Sequence, residues 1–181
     1  MSGNLTIRPL TEDDWQILRE TRLAALRETP GNYCADLSQT EAKPEQEWRD
    51  QLNNPNACAF GLFDGAALVG ITGVFLNRDD PNNGYAYLGM SHITPSHRGK
   101  GLAAMLYQAR LDWALSRPQV KRIKVSTRAD NMASRKGMER AGFVEVDRAP
   151  RDWPDGITTD ELIYELDLAP LRASKQPDQK P

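Results

Sequence analysis

The segment HITPSHRGKGLAAMLY, residues 92–107, restricts the folds open to this chain more than any other stretch. An apolar run closes at Pro95, and Arg98, Gly99, Lys100 and Gly101 follow directly. A helical pattern then begins at once, with Leu102, Leu106, Ala109 and Trp113 spaced i, i+4, i+7 and i+11 on one face. The first amides of a helix have no intrahelical partner, and the helix dipole adds positive potential there. Glycine lets a ligand approach the backbone because no Cβ intervenes. Two glycines and two cations at a strand-to-helix junction therefore describe a site for phosphate or diphosphate. The fold must deliver a strand end and a helix start to one place.

The segments on either side differ in kind. Residues 4–10 alternate as a half-buried strand. Thr11-Glu12-Asp13-Asp14 has the form of a capping box, and a helix to about residue 29 follows with Trp15, Leu18, Arg22, Ala25 and Leu26 on one stripe. Pro30-Gly31 stops it, residues 31–43 are polar and irregular, and 45–52 read as a second helix around Trp48. Two apolar runs, 57–63 and 67–76, flank Asp64-Gly65 as a hairpin, a longer polar turn spans 77–84, and 85–93 is a third strand. After the glycine loop come a helix over 101–115, a strand over 122–127, and a helix over 131–141 with Gly142 at its C-terminal end. The last strands are 143–146 and 161–168, separated by a long loop over 147–160. The polar, Pro-containing tail 169–181 is expected to be disordered, which leaves one domain over 1–168. The order β-α-α-β-β-β-α-β-α-β-β places the chain in the α/β (α+β) class. It predicts a mixed, mostly antiparallel sheet of about seven strands with helices on both faces.

Composition narrows the function. Lys and Arg total 23 against 25 Asp and Glu, so the net charge of −2 argues against nucleic acid as a partner, although basic runs occur at 97–100, 121–128 and 135–140. No apolar run reaches the 18 residues of a membrane span and the N-terminus lacks a signal pattern, which predicts a cytoplasmic protein with no membrane partner. Cys34 and Cys58 lack CxxC spacing, and His92 and His97 are the only histidines, so no metal site is expected. Gly99-Lys100-Gly101-Leu102-Ala103-Ala104 matches the dinucleotide fingerprint, but no acid stands about 20 residues on, where 121–125 reads Lys-Arg-Ile-Lys-Val. A Walker loop fails as well, because Gly101 follows Gly99-Lys100 and no glycine stands five residues before Gly99.

The residues resemble the GCN5-related N-acetyltransferase (GNAT) superfamily. Arg98-Gly99-Lys100-Gly101-Leu102-Ala103 matches that family's acyl-CoA signature [QR]-x-x-G-x-[GA], and Ile93-Thr94-Pro95 is similar to its V-x-P segment. Residues 131–143, NMASRKGMERAGF, resemble its N-x-x-A-x-x-L-Y-E-K-L-G-F segment in Asn131, Glu139, Arg140, Gly142 and Phe143. The resemblance covers roughly residues 4–168 and implies that the anion is the diphosphate of acetyl-CoA, held by the amides of Gly99 to Ala103 with Arg98 at the edge. It also implies that the backbone near Ile93 pairs with the pantetheine arm, and that Thr94, Pro95, Lys100, Leu102, Asn131 and Ser134 belong to the same site. Asn131 equally suits an N-cap. Two positions depart from the family pattern: Met138 stands where many members carry a proton-donating Tyr, and Gly137 replaces the preceding Leu. No carboxylate occurs on 85–92, where Tyr87 falls at the position of the family's Glu base.

The chemistry implied by the resemblance needs an unprotonated amine, a polarised carbonyl and a stabilised thiolate, and proximity supplies much of the rest. Tyr85, Tyr87 and Ser91 share one strand parity, the tyrosines as candidates for relaying a proton through water and Ser91 for orienting a water or the thiolate; His92 lies on the opposite parity unless a bulge re-aims it. Tyr33 with Asp36, and Trp153 with Asp152 and Asp155, suit a cationic amine at the acceptor end, while Arg22 either faces an acceptor carboxylate or snorkels. The resulting expectation is an acetyl-CoA-dependent N-acetyltransferase acting on a small amine or amino-acid-like acceptor, as a monomer or homodimer. A non-catalytic acyl-CoA sensor and an acetyltransferase of a protein N-terminus or lysine remain open alternatives.

Overall fold

The computed structural model describes residues 4–76 and 84–175. Seven strands form one sheet in the order β1-β2-β3-β4-β5-β7-β6. These are β1 (Leu5–Pro9), β2 (Ala57–Asp64), β3 (Ala67–Leu76), β4 (Tyr85–Ile93), β5 (Arg122–Arg128), β6 (Val144–Asp152) and β7 (Thr158–Asp167). Only β4 and β5 pair in parallel; the other five neighbouring pairs are antiparallel. The helices are α1 (Trp15–Glu28), α2 (Leu37–Glu41), α3 (Glu45–Leu52), α4 (Ala103–Leu115), α5 (Met132–Arg140) and α6 (Ala169–Lys175).

The β2–β3 hairpin turns on Gly65 at φ +59, a positive φ at the first central residue, as a II′ turn requires. One face of the sheet packs on α1 and α3 through Leu18, Trp48, Ala59, Phe63 and Ile71. The other face is covered by α4 and α5, with Val74, Leu88, Ala114, Ile123, Met138 and Leu162 in one cluster and Leu62, Val69, Leu102 and Leu106 in a second.

Three expectations are corrected. Residues 31–43 contain α2, capped by Asp36, whose carboxylate accepts from the Gln39 amide at 2.9 Å. Residues 147–160 are mostly not a loop: β6 and β7 extend through them and leave 153–157 as the connection. The tail begins as a helix, because Asp167 Oδ1 accepts from the Ala169 amide and Leu171 packs against the core. Arg172 there donates to the Ala114 and Arg117 carbonyls, so α6 also satisfies the C-terminal end of α4. The turn expected over 77–84 falls, except for Gly84, outside the described residues, as do 176–181.

Candidate functional site

The site grows from a break in pairing. β4 and β5 are bonded only from Tyr85–Arg122 to Tyr87–Lys124, after which they diverge while β5 stays paired with β7 along its length. The result is a V-shaped opening within the sheet. Ser91 on β4 and Ser126 on β5 are exposed although both lie within strands, because the facing edges have no partner.

A bulge on β4 sharpens the opening. Gly89 pairs with Gly73 and His92 with Ile71, so two β4 residues oppose the single Thr72. Met90 sits in the left-handed region at φ 57, a conformation that costs a non-glycine residue about 1 kcal/mol or more. Its side chain is accommodated opposite Gly73, where a Cβ would come within 2.7 Å of Met90 Cε. Beyond the bulge, side-chain parity inverts. His92 joins the face of Tyr85, Tyr87 and Ile71, whereas Ser91 turns to the α4 face and its Oγ meets Thr72 Oγ1 and Arg110 NH1, each at 2.9 Å. The expected parities of Ser91 and His92 are therefore exchanged. Tyr85 and Tyr87 lie at the closed end of the V, with Tyr87 stacked on Phe75 and Lys124 Nζ 4.4 Å from the Tyr85 ring centroid, away from the glycine loop.

The glycine loop stands at the open end. Gly99 and Gly101 have φ +74 and +76, and a Cβ on either would meet nothing within 4 Å. The first turn-closing bond at the start of α4 is Ala104 N to Gly101 O, and among the described residues the amides of Gly99 to Ala103 before it have no backbone acceptor. Lys100 is exposed beside them, and Leu102 is buried beneath in the Leu62 and Val69 cluster. His97 pins the loop, with Nδ1 near Thr94 Oγ1 and Ser96 Oγ and Nε2 3.3 Å from Asp64 Oδ2. Pro95 opens this short pinned turn. Arg98 is not aimed along the loop: its Nε donates to Ile93 O at 2.8 Å and its other nitrogens grip Glu28. From Gly101 an apolar groove of about 460 Å³ continues between α4 and α5, lined by Ala104, Tyr107 and Leu111 on one side and Gly137 and Ala141 on the other. A Cβ on Gly137 would stand 3.7 Å from the Tyr107 ring, an ordinary contact, while Met138 is buried in the core.

Across the V, Asn131 caps α5 by accepting from the Ser134 amide at 3.1 Å, and it lines a cavity of about 540 Å³ with Thr29, Gly31, Arg128 and Asp155. Arg128 ties this end together by bonding Asp155 and the Gly31 carbonyl. A Cβ at Gly31 would fall 2.2 Å from both Arg128 NH1 and Asp155 Oδ2, so any other residue there displaces this ion pair. Trp153, expected to meet an acceptor, is 3% exposed and donates Nε1–H to Thr159 O, so it serves as a buried support beside Arg128. Asp36, Asp152 and Asp155 are likewise committed, to the α2 cap, the Thr158 hydroxyl and Arg128.

On the α1 side, the Tyr33 hydroxyl donates to Ser91 O at 3.0 Å and its ring lies 4.5 Å beneath the Arg22 guanidinium. His92 Nε2 is 3.9 Å from Glu28 Oε2. Burial pushes the imidazole below its ordinary 6.5 against the pull of Glu28, so it is neutral at pH 7. Glu28 is held low by the Arg98 guanidinium. On the far side of β4 sits Arg110, 1% exposed with no carboxylate partner among the described residues; burial lowers its pKa to about 10. Arg110, Arg128 and Glu28 escaped the sequence reading because each stands within an ordinary helical or strand pattern.

Among the described residues no group of His, Cys, Asp or Glu could hold a metal, both cysteines are free, and no helix is long and apolar enough to cross a membrane. The chain matches the family model described as "Acetyltransferase (GNAT) domain" over residues 4–144. It is 40% identical over 81 residues to an uncharacterized N-acetyltransferase, YjdG, of Bacillus subtilis (strain 168); that match spans about half of each protein, 45% of this chain and 46% of the relative. An N-acetyltransferase from Staphylococcus aureus Mu50 has a similar structure, with TM-score 0.78 and 20% identity over 91% of this chain and 99% of that one. A spermidine N-acetyltransferase from Vibrio cholerae, solved with CoA and spermine, superposes with TM-score 0.72 and 19% identity over 90% of this chain and 94% of that one.

Proposed function

This chain belongs to the GNAT family of acetyltransferases, and we propose that it moves an acetyl group from acetyl-CoA to the primary amine of a small, amino-acid-like acceptor bound beside it. The observation that carries this reading is the glycine loop set at the open end of the V, where two glycines hold positive φ under empty space and the amides leading into α4 have no backbone acceptor among the described residues. Those amides, with Lys100 beside them, suit a diphosphate. The groove that continues from Gly101 suits an apolar arm, while a pantetheine chain along the β4 edge that β5 leaves would have to displace Arg98 from Ile93 O and Tyr33 from Ser91 O to reach those carbonyls. When bound, acetyl-CoA supplies the thioester: the amine nitrogen bonds to its carbonyl carbon, the C–S bond breaks, the nitrogen loses a proton and the departing thiolate gains one.

The chain's own residues then have separable tasks. Gly99 to Ala103 hold the anion, and Asn131 and Ser134 border the opening from α5. Tyr33 closes over the Ser91 carbonyl and bounds the acceptor side. His92, re-aimed by the bulge and neutral, is the base placed to take the amine proton through water, with Glu28 stabilising its charged form. Tyr85 and Tyr87 stand too far down the V to share that task. Met138 gives no proton donor at α5, so protonation of the thiolate falls to solvent. The neighbouring structure solved with CoA and spermine supports CoA as the donor in this fold, and its polyamine is not carried over to this chain's acceptor.

The test is release of free CoA thiol from acetyl-CoA in the presence of amines, amino acids and short peptides. Amine-dependent release that disappears in Gly101→Asp supports the proposal. Acetyl-CoA binding without release across the panel would replace the transferase with an acyl-CoA-binding module, and release only with peptides would move the acceptor to a protein.

A further inference from the structure

Among the described residues no carboxylate meets Arg22, whose one aromatic partner is the Tyr33 ring. The residue is 7% exposed, and its NH1 is buried with no hydrogen-bond partner. Its guanidinium lies over the Tyr33 ring, whose hydroxyl closes on Ser91 at the mouth of the V, and its charge also acts on Cys34 and His92. A buried cation is costly unless an anion meets it, and an apolar side chain of similar size would be cheaper at such a position. The acids of the region do not meet it. Glu28 is gripped by Arg98, and Glu161 by Arg151. Asp36, Asp152 and Asp155 are held by the α2 cap, Thr158 and Arg128. His92 is neutral at pH 7, and burial raises both the Tyr33 phenol and the Cys34 thiol, so neither becomes an anion there. Among the described residues the acceptor wall thus carries a buried cation that no carboxylate meets.

We propose that Arg22 receives a carboxylate of the acceptor, which makes the acceptor an α-amino acid or a close analogue whose carboxylate lies near the reacting amine. The proposal rests on the transferase reading of the site. A charge-assisted bond of this kind separates acceptors with and without the carboxylate by about 10- to 150-fold in kcat/KM.

The experiment compares the L-amino acids with their carboxamides and decarboxylated amines. It uses wild type, Arg22→Met and Arg22→Lys, with CoA-thiol release and, separately, calorimetric binding to the CoA-loaded protein as readouts. Preference for the acids in wild type, levelled in Arg22→Met and partly kept in Arg22→Lys, supports the proposal. Arg22→Met also melts higher than wild type, which removes misfolding as an explanation. Amides or amines turned over as fast as acids, or Arg22→Met slowing every acceptor alike, overturns it. Arg22-dependent binding of the acids without any release keeps the carboxylate site and defeats the transferase reading. Neither release nor acid-dependent binding defeats both.

Discussion

Substituting Gly101 by Ala separates the folding role of the glycine loop from its binding role. At φ +76 an L-residue pays about 1–2 kcal/mol of backbone strain. The new Cβ adds no clash of its own, because nothing lies within 4 Å of it. For a chain of this size each kcal/mol lowers the melting temperature by about 2–4 °C, so Gly101→Ala should melt about 2–8 °C lower. Gly65→Ala is the control: its φ is +59, its Cβ also meets nothing, and it sits on the β2–β3 turn. The two variants should lose similar stability. They should differ in affinity, because a methyl group at Gly101 occupies the space above the amides where a diphosphate would rest. Losing one charge-assisted bond there weakens acetyl-CoA binding by about 10- to 150-fold, whereas Gly65→Ala binds as wild type does. Calorimetric titration with acetyl-CoA, beside thermal melts, measures both. Equal affinity in the two variants would refute the reasoning, since the loop would then be a turn that needs glycine only for its own geometry.

Three further outcomes follow from the same coordinates. Arg8 and the Thr11 amide hold the Asp14 carboxyl down to about 2, so this contact stabilises the fold fully above pH 4 and loses its effect as the pH falls toward 2. Asp14→Asn should therefore melt lower by about 1 kcal/mol at pH 7, after allowance for solvent screening, and the gap to wild type should close in an acid titration of the melting temperature. Arg110 is buried without a carboxylate, so Arg110→Met should fold at least as stably as wild type, while Arg110→Ala should lose about 2–4 kcal/mol to the cavity it leaves, measured by urea unfolding. Ending the chain after Leu168 removes the Leu171 packing and the Arg172 bonds to α4, and should cost about 2–3 kcal/mol in the same assay; an unchanged midpoint would mean that α6 only rests on the surface.

What the sequence made legible divides along physical lines. The β2–β3 hairpin announces itself through a glycine turn and α4 through an apolar-rich run, both local signals, although the face α4 buries is that of Leu106, Arg110 and Ala114 and not the stripe through Ala109 and Trp113. The outer ribbon of β6 and β7 does not. β6 is an edge strand with eight of its nine residues exposed, so neither face imposes alternation, and Pro150 is tolerated there because an edge amide needs no partner. Its charges, including Arg148 against Glu145 and Arg151 against Glu161, gave those residues the composition of a loop. α2 buries only Thr40, too little for a helical period to show, and the tail helix declares itself only through a cap and one leucine.

The candidate site shows the same division more sharply. The anion loop, the Asn131 cap and Gly142 depend on backbone geometry that a few neighbouring residues determine, so the motif and the structure place them alike. The catalytic wall depends on parity, and one extra residue at Met90 reverses parity for everything beyond it. Gly73, which makes room for Met90, was the available signal: an isolated glycine inside a strand marks a bulge or a close approach. Ser91 then turns away and His92 turns in, so the bulge that the parity argument left as the exception for His92 is the arrangement found. The acceptor end fails for a different reason. Its acids are visible in the chain, but a carboxylate is free for a ligand only if nothing in the fold claims it. Here Asp36, Asp152 and Asp155 each accept a hydrogen bond or ion pair within the fold, and no carboxylate meets Arg22 among the described residues. The sign of charge that the site offers is therefore a property of the pairing, and it reverses what the composition of the loops suggests.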